Sequence, residues 1–138
     1  MKVLFCSSFG GHWVQLKRVS DLVEADEKVF ITTRNEGIGC LNDFSARDMH
    51  IGIIQFPKAI RLVKKIKPDV VISTGAAPGL LILLSAFLLR KKTIWIDSIA
   101  NSKKISLSCR AACLFSSKVL TQWPELESSR IKYYGRLL

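Results

Sequence analysis

Short apolar runs alternate with amphipathic segments from the first residues onward. Lys2 to Ser7 is apolar at Val3-Leu4-Phe5-Cys6 and predicts a buried strand. Residues 12 to 23 then place Trp13, Leu16, Val19 and Val23 at three-to-four spacing, with Gln15, Lys17, Arg18 and Asp21 elsewhere, which predicts a helix with one core face. Lys28 to Thr33 is rich in β-branched residues and predicts a second strand, while Arg34 to His50 is polar, contains glycine and reads as a long loop, with room for a short helix. Ile51 to Gln55 reads as a short strand, and Pro57 to Lys67 as a helix with Pro57 in its first turn. On that helix Ile60, Val63 and Ile66 share one face, and Lys58, Arg61 and Lys65 the opposite one.

Pro68 ends the helix, and Asp69 to Thr74 predicts a buried strand running into Gly75-Ala76-Ala77-Pro78-Gly79, a small-residue loop before the next helix. Thr93 to Asp97, Val119 to Gln122 and Ile131 to Tyr134 follow as strands. Between them lie a polar loop, Ser98 to Lys104, and a helix, Ser106 to Phe115; Trp123-Pro124-Glu125 interrupts the pattern before the last strand. Strands alternating with helices at this spacing predict an α/β fold with a doubly wound parallel sheet, in one domain spanning 1–138.

In such a sheet, ligands bind outside the carboxyl ends of the strands. The loops that matter therefore follow Ser7, Thr74, Asp97 and Gln122. Gly10 and Gly11 bring bare backbone N–H groups to a helix N-terminus, where the dipole favours an anion, so Ser8, Gly10 and Gly11 form a candidate phosphate site. An ordinary tight strand-to-helix turn has the same residues. Thr74, Gly75, Ser98, Asn101, Lys103 and Lys104 add donors suited to phosphate or sugar hydroxyls, and Gln122, Trp123 and Glu125 sit at the same edge facing the cleft or a partner. His12, in a first helical turn, is a candidate base: the positive dipole end favours neutral imidazole; a surface histidine is the alternative. Asp97 closes an apolar strand as a second candidate base or hydroxyl ligand, with capping of the turn to Ser98 as the alternative.

Charge narrows the partners. The chain has 138 residues, 21 Lys and Arg against 11 Asp and Glu, and a net charge of +10. An anionic partner is implied: nucleic acid, an acidic membrane or a phosphorylated substrate. Nucleic acid is disfavoured, because Trp13, Phe30, Trp95 and Phe115 are not interleaved with the basic residues as a stacking platform requires. The apolar run Pro78 to Leu89 is too short to span a bilayer, yet with Arg90, Lys91, Lys92 and the basic face of Lys58, Arg61 and Lys65 it suits peripheral contact with anionic lipid.

Other chemistries lack their residues. GxGxxG and GxxxxGK[ST] are both missing, so no dinucleotide or other cofactor is expected. Cys6, Cys40, Cys109 and Cys113 form no CxxC pair and read as reduced thiols rather than zinc ligands, so no metal is expected. Only four apolar residues separate Met1-Lys2 from Ser7, too few for a secretory signal; a cytosolic chain is expected.

Five ordered motifs carry a resemblance. They are Ser8-Phe9-Gly10-Gly11-His12, Asp69 to Gly75, Trp95-Ile96-Asp97-Ser98-Ile99-Ala100-Asn101, Leu120 to Glu125, and Tyr133-Tyr134-Gly135-Arg136-Leu137. Together they resemble the membrane-anchoring subunit of the two-piece UDP-GlcNAc transferase of dolichol-linked oligosaccharide synthesis, and its bacterial relatives in capsule and exopolysaccharide assembly. The resemblance implies the Rossmann-like N-terminal half of a B-type glycosyltransferase, partnered by a separate small Rossmann-like subunit that binds the nucleotide sugar. It implies a polyprenyl-diphosphate-linked acceptor at the cytoplasmic face of the cell membrane. By likeness to the related peptidoglycan GlcNAc transferase, Gly10-Gly11-His12 faces the acceptor's diphosphate. Two departures stand out. The eukaryotic members carry an N-terminal transmembrane anchor that is not expected here, and they have Glu-Ser-x-Ala-Arg where this chain has Asp97-Ser98-Ile99-Ala100-Asn101, so an arginine contact does not carry over. Two other readings remain open: a non-catalytic scaffold that activates the partner, and an independent nucleotide-binding domain.

Overall fold

A computed structural model describes residues 1–33, 39–40 and 49–135. Among them, seven strands form one parallel sheet: β1 (Lys2–Cys6), β2 (Glu27–Thr32), β3 (Gly39–Cys40), β4 (Val70–Ser73), β5 (Lys92–Ile96), β6 (Lys118–Thr121) and β7 (Ile131–Tyr133). Their order is β3-β2-β1-β4-β5-β6-β7, so the winding direction reverses between β1 and β4, which pair with Phe5 opposite Ile72 and Cys6 opposite Ser73. The helices are α1 (Gly11–Leu22), α2 (Met49–Ile66), α3 (Ala76–Leu88) and α4 (Leu107–Ala112).

Alternation along β1 divides the core. Val3 and Phe5 pack with Leu16 and Val19 of α1 on one face; Leu4 and Cys6 pack with α2, α3 and α4 on the other, where Ala59, Val63, Ile82, Leu83, Ala86 and Cys109 are buried. The expected doubly wound α/β sheet is thus the observed one. Burial pushes the Cys6 thiol up to about 12, against a smaller opposing hydrogen bond from Ser73, and raises Cys109 as well, with the Asp97 carboxylate as the second cause. Both sulfurs are therefore neutral core packing at physiological pH.

Several boundaries differ from those read in the sequence. The strand expected at Ile51 to Gln55 is helical: α2 begins at Met49 and takes in His50, and Pro57 lies inside it rather than in its first turn. The physical reason lies in the spacing. Gly52, Gln55, Ala59, Val63 and Ile66 form one buried stripe at three-to-four spacing, while Ile53 and Ile54 point outward. The N–H that Pro57 lacks would have served the carbonyl of Ile53, an exposed residue, so the break is tolerated. Ile60 is half-buried, and the core position beside Val63 goes to Ala59. Gly39–Cys40 adds an edge strand within the stretch read as a loop; residues 34–38 and 41–48 lie outside the described ones. The small-residue loop after β4 shrinks to Thr74 and Gly75, because α3 already starts at Ala76. Trp123-Pro124-Glu125 leads into one 3-10 turn, Pro124–Leu126, and Arg136 and Leu137 lie outside the described residues.

Candidate functional site

Two helices start at the winding reversal, one on each face of the sheet. Gly10 caps α1 with φ 96° and Gly75 caps α3 with φ 147°; neither helix start has a side-chain hydrogen-bond cap, whereas at α4 the Ser106 hydroxyl accepts from the Cys109 N–H. Both glycine angles lie where L side chains are disfavoured, so the backbone there requires glycine. Uncapped starts leave N–H groups available to an external anion.

His12 joins the two starts. Its Nδ1 lies 3.3 Å from the Thr74 carbonyl, and the Thr74 hydroxyl donates to the His12 carbonyl at 2.7 Å. A carbonyl only accepts, so Nδ1 is the donor in this contact, which in a neutral ring leaves the lone pair on Nε2. The ring packs against Gly75, where a Cβ would stand 2.3 Å from Nδ1. His12, Thr74 and Gly75 are one unit, as their place at neighbouring strand ends predicts.

A second unit lies one helical turn along α1. Buried Gln15 donates from Nε2 to the Ser98 hydroxyl at 3.2 Å, and its Oε1 accepts from the Gln122 Nε2 at 2.6 Å and the Ile99 N–H at 3.3 Å. Gln122 also donates to the Asp97 carbonyl at 3.0 Å, and the Trp123 indole N–H to the Ile99 carbonyl at 2.6 Å. These bonds clamp the loop after β5 between α1 and the end of β6. Gln15 was missed in the sequence because it was placed on the polar side of α1; its position next to Leu16 and four before Val19 is the signal that puts it near the core.

Asp97 is 2% exposed. Its carboxylate accepts from the Ser106 hydroxyl at 2.7 Å, the Ser106 N–H at 3.1 Å, the Asn101 side-chain amide at 3.3 Å and the Trp95 indole N–H at 3.4 Å. It holds the two ends of the 98–106 loop together, with Ser106 and Asn101 as its main donors rather than the turn to Ser98. Ser8 is buried at the end of β1, Lys103 and Lys104 are exposed on the loop, and Glu125 is exposed in the 3-10 turn. Lys58, Arg61 and Lys65 are exposed on α2, and Arg90 and Lys92 beyond α3, with Lys91 half-buried.

On the α2–α3–α4 face lies a groove of about 830 Å³. Ile53 and Phe56 of α2, Leu80 and Leu84 of α3, and Leu107, Ala111 and Leu114 in and after α4 line it, and Ala77, the second residue of α3, belongs to the lining. Sequence reading missed it, although Leu107, Ala111 and Leu114 form an apolar stripe at i, i+4, i+7. Among the described residues, no helix is long and apolar enough to cross a membrane and no three metal-ligating side chains cluster.

Comparison with known proteins agrees with this architecture. The chain is 33% identical over 93 residues to the UDP-N-acetylglucosamine transferase subunit ALG14 of Yarrowia lipolytica, covering 62% of this chain and 43% of that one. Its fold matches the MurG crystal structure from Acinetobacter baumannii with a TM-score of 0.79 at 15% identity, over 96% of this chain and 45% of that one. It also matches the UDP-GlcNAc 2-epimerase from Neisseria meningitidis bound to UDP-GlcNAc, with a TM-score of 0.74 at 12% identity, over 99% and 47%. The chain thus spans less than half the length of these relatives, and the two structural likenesses speak for the fold alone. Residues 45–137 match the family described as oligosaccharide biosynthesis protein Alg14 like, a segment that holds Thr74-Gly75, Asp97 to Asn101 and Gln122 to Glu125 but not the first strand–helix unit. With about two thirds of its length inside that match, the chain belongs to the Alg14-like family of oligosaccharide biosynthesis proteins.

Proposed function

We propose that this chain is the acceptor-binding component of a two-part UDP-GlcNAc transferase, a single Rossmann-like domain over 1–138 that sits peripherally on the cytoplasmic membrane face. The observation that carries the reading is the meeting of two glycine-started, uncapped helix N-termini at the β1–β4 reversal, with His12 fixed between them. Such a crevice suits a diphosphate: two sets of backbone N–H groups and two positive dipole ends converge on it. Membership of the Alg14-like family and the likeness to the UDP-N-acetylglucosamine transferase subunit ALG14 of Yarrowia lipolytica support the transferase part of the reading. The acceptor, a polyprenyl-diphosphate-linked sugar, is what the resemblance of the five sequence motifs implies.

In this reading Ser8, Gly10, Gly11, Thr74 and Gly75 cradle the diphosphate. Ser98, Asn101, Lys103 and Lys104 contribute from the loop after β5, and Gln122, Trp123 and Glu125 face the cleft or the partner. His12 presents Nε2 as the base that takes the proton from the attacking hydroxyl. A small Rossmann-like partner subunit supplies the nucleotide sugar, since no nucleotide motif occurs in the sequence. Asp97 serves as a positioning residue. Its four accepted hydrogen bonds also favour the second reading, a scaffold that supplies no base of its own.

The test is reconstitution of the chain with its partner, UDP-GlcNAc and a polyprenyl-diphosphate-linked acceptor. The chain alone should transfer nothing. His12→Ala should lower kcat about 100-fold or more with partner binding unchanged, the usual scale for a lost general base. Transfer by the lone chain overturns the two-part reading, and unchanged His12→Ala kinetics leave the scaffold.

A further inference from the structure

The groove is built differently from a flat membrane-contact patch. Three helices wall it, Leu80, Leu84, Ala111 and Phe115 are half-buried inside it, and Ile53, Leu107 and Leu114 stand exposed at its rim. Its volume of about 830 Å³ is in the range of small-molecule sites, and its lining is apolar but for Ser108 and Arg110. An extended peptide would find almost no polar partners there for its backbone. A hydrocarbon chain needs none.

The surroundings narrow the occupant further. α2, α3 and α4 contain no Asp or Glu, whereas Lys58, Arg61, Lys64, Lys65 and Arg110 are exposed on them. From Met49 to Trp123 the carboxylates are Asp69 and the buried Asp97. An apolar recess walled by three helices whose charged residues are all cationic is complementary to a ligand that is apolar along its length and anionic at its head. Position adds the register: Ala77 lines the groove and lies two residues after Gly75, which caps α3 at the crevice. A diphosphate at the start of α3 therefore lies two residues from a position that lines the groove.

We propose that the α2–α3–α4 groove receives the first isoprenoid units of the lipid carrier, drawing them out of the bilayer while the diphosphate lies at the crevice. This inference rests on the acceptor-binding reading given above. The groove then sets the register of the acceptor, because the depth to which the chain enters fixes where the diphosphate and the attacking hydroxyl come to rest.

The full chain is titrated with geranyl diphosphate (C10), geranylgeranyl diphosphate (C20), inorganic pyrophosphate and geranylgeraniol. Binding of C20 should be at least tenfold tighter than C10, and Ala111→Trp, which fills the groove and adds no charge, should abolish that difference while leaving pyrophosphate binding unchanged. Leu114→Ser, at a position 86% exposed and hence harmless to the core, should weaken C20 severalfold and give a readout if the tryptophan variant fails to fold. Equal binding of C10 and C20 overturns the groove proposal while leaving the diphosphate site standing. Binding of geranylgeraniol as tight as that of geranylgeranyl diphosphate, with no binding of pyrophosphate, does the reverse. Loss of partner binding in Ala111→Trp with C20 binding intact assigns the groove to a protein helix, and unchanged C20 binding in a folded Ala111→Trp assigns it to bulk membrane contact; both overturn the proposal.

Discussion

Gly75→Ala tests the junction between the two helix starts, because one added methyl meets one identified ring. Gly75 has φ 147° and ψ 179°, a region L residues rarely enter, and forcing alanine there costs about 1–3 kcal/mol. The methyl carbon would lie 2.3 Å from His12 Nδ1 and 2.7 Å from Cε1, so the imidazole has to leave its place. Leaving breaks the Nδ1–Thr74 contact, at about 1 kcal/mol for a net hydrogen bond. The expected loss is then about 2–4 kcal/mol in all, read as a fall in Tm of about 6–14 °C for a chain of this length. Denaturant titration of wild type, Gly75→Ala, His12→Ala and the double variant separates the parts. With the ring gone the methyl has nothing to strike, so the double variant should be more stable than additivity predicts by about 1 kcal/mol, leaving the backbone cost alone. Strict additivity, or a Gly75→Ala cost below about 0.5 kcal/mol, would falsify the packing of His12 on Gly75 and with it the fixed imidazole that the proposed base role requires.

Two further outcomes follow from the polar network and the basic face. Asp97→Asn turns one carboxylate oxygen into a donor facing Ser106 or Asn101, and should cost about 1–3 kcal/mol in denaturant titration while speeding amide exchange over 98–106; full stability with lost transfer would instead make Asp97 a catalytic group. Replacing Lys58, Arg61 and Lys65 together by Glu should release the chain from anionic vesicles, since each near-surface cation contributes about 1 kcal/mol to such binding, and salt should weaken the wild type over a screening length of about 8 Å. An unchanged bound fraction in co-sedimentation makes that face ordinary solvated surface.

The strands were legible because parallel strands buried on both faces read as continuous apolar runs, as Val70-Val71-Ile72 and Thr93-Ile94-Trp95-Ile96 do. The first half of α2 was not. Ile51, Ile53 and Ile54 are β-branched and Pro57 looks like a first-turn residue, so local preference argued for strand then helix; packing of Gly52, Gln55 and Ala59 against the sheet overrode it. The crevice was legible down to residue types, since sheet topology alone brings the ends of β1, β4, β5 and β6 together. The Gln15–Gln122 bond spans 107 residues, and no local pattern announces such a pairing. Asp97 shows the opposite limit: its place at the strand edge was readable, but the donors that consume it lie four and nine residues further on, in a loop whose path only the fold fixes.

The composition of α3 follows from the three surfaces it serves at once. Ile82, Leu83 and Ala86 are buried in the core, Leu80 and Leu84 line the groove, and the first turn must approach β1 closely. That approach leaves no room at Gly79, where a Cβ would stand 2.3 Å from the Ser73 hydroxyl and 3.4 Å from the Cys6 carbonyl. Core on one side and groove on another take up most of the helix, which is apolar nearly all round, with Phe87 and Leu88 exposed at its C-terminal end and Ser85 turning its hydroxyl back onto the Leu81 carbonyl. An all-round apolar helix is usually read as either buried or lipid-facing. Here the core buries one side and, in the proposal above, lipid covers another, while the N-terminus carries the positive dipole end beside Gly75. Apolar length and anion-attracting end in a single element complement an apolar chain with an anionic head, which is why the proposal of a lipid diphosphate rests on α3 more than on the exposed lysines.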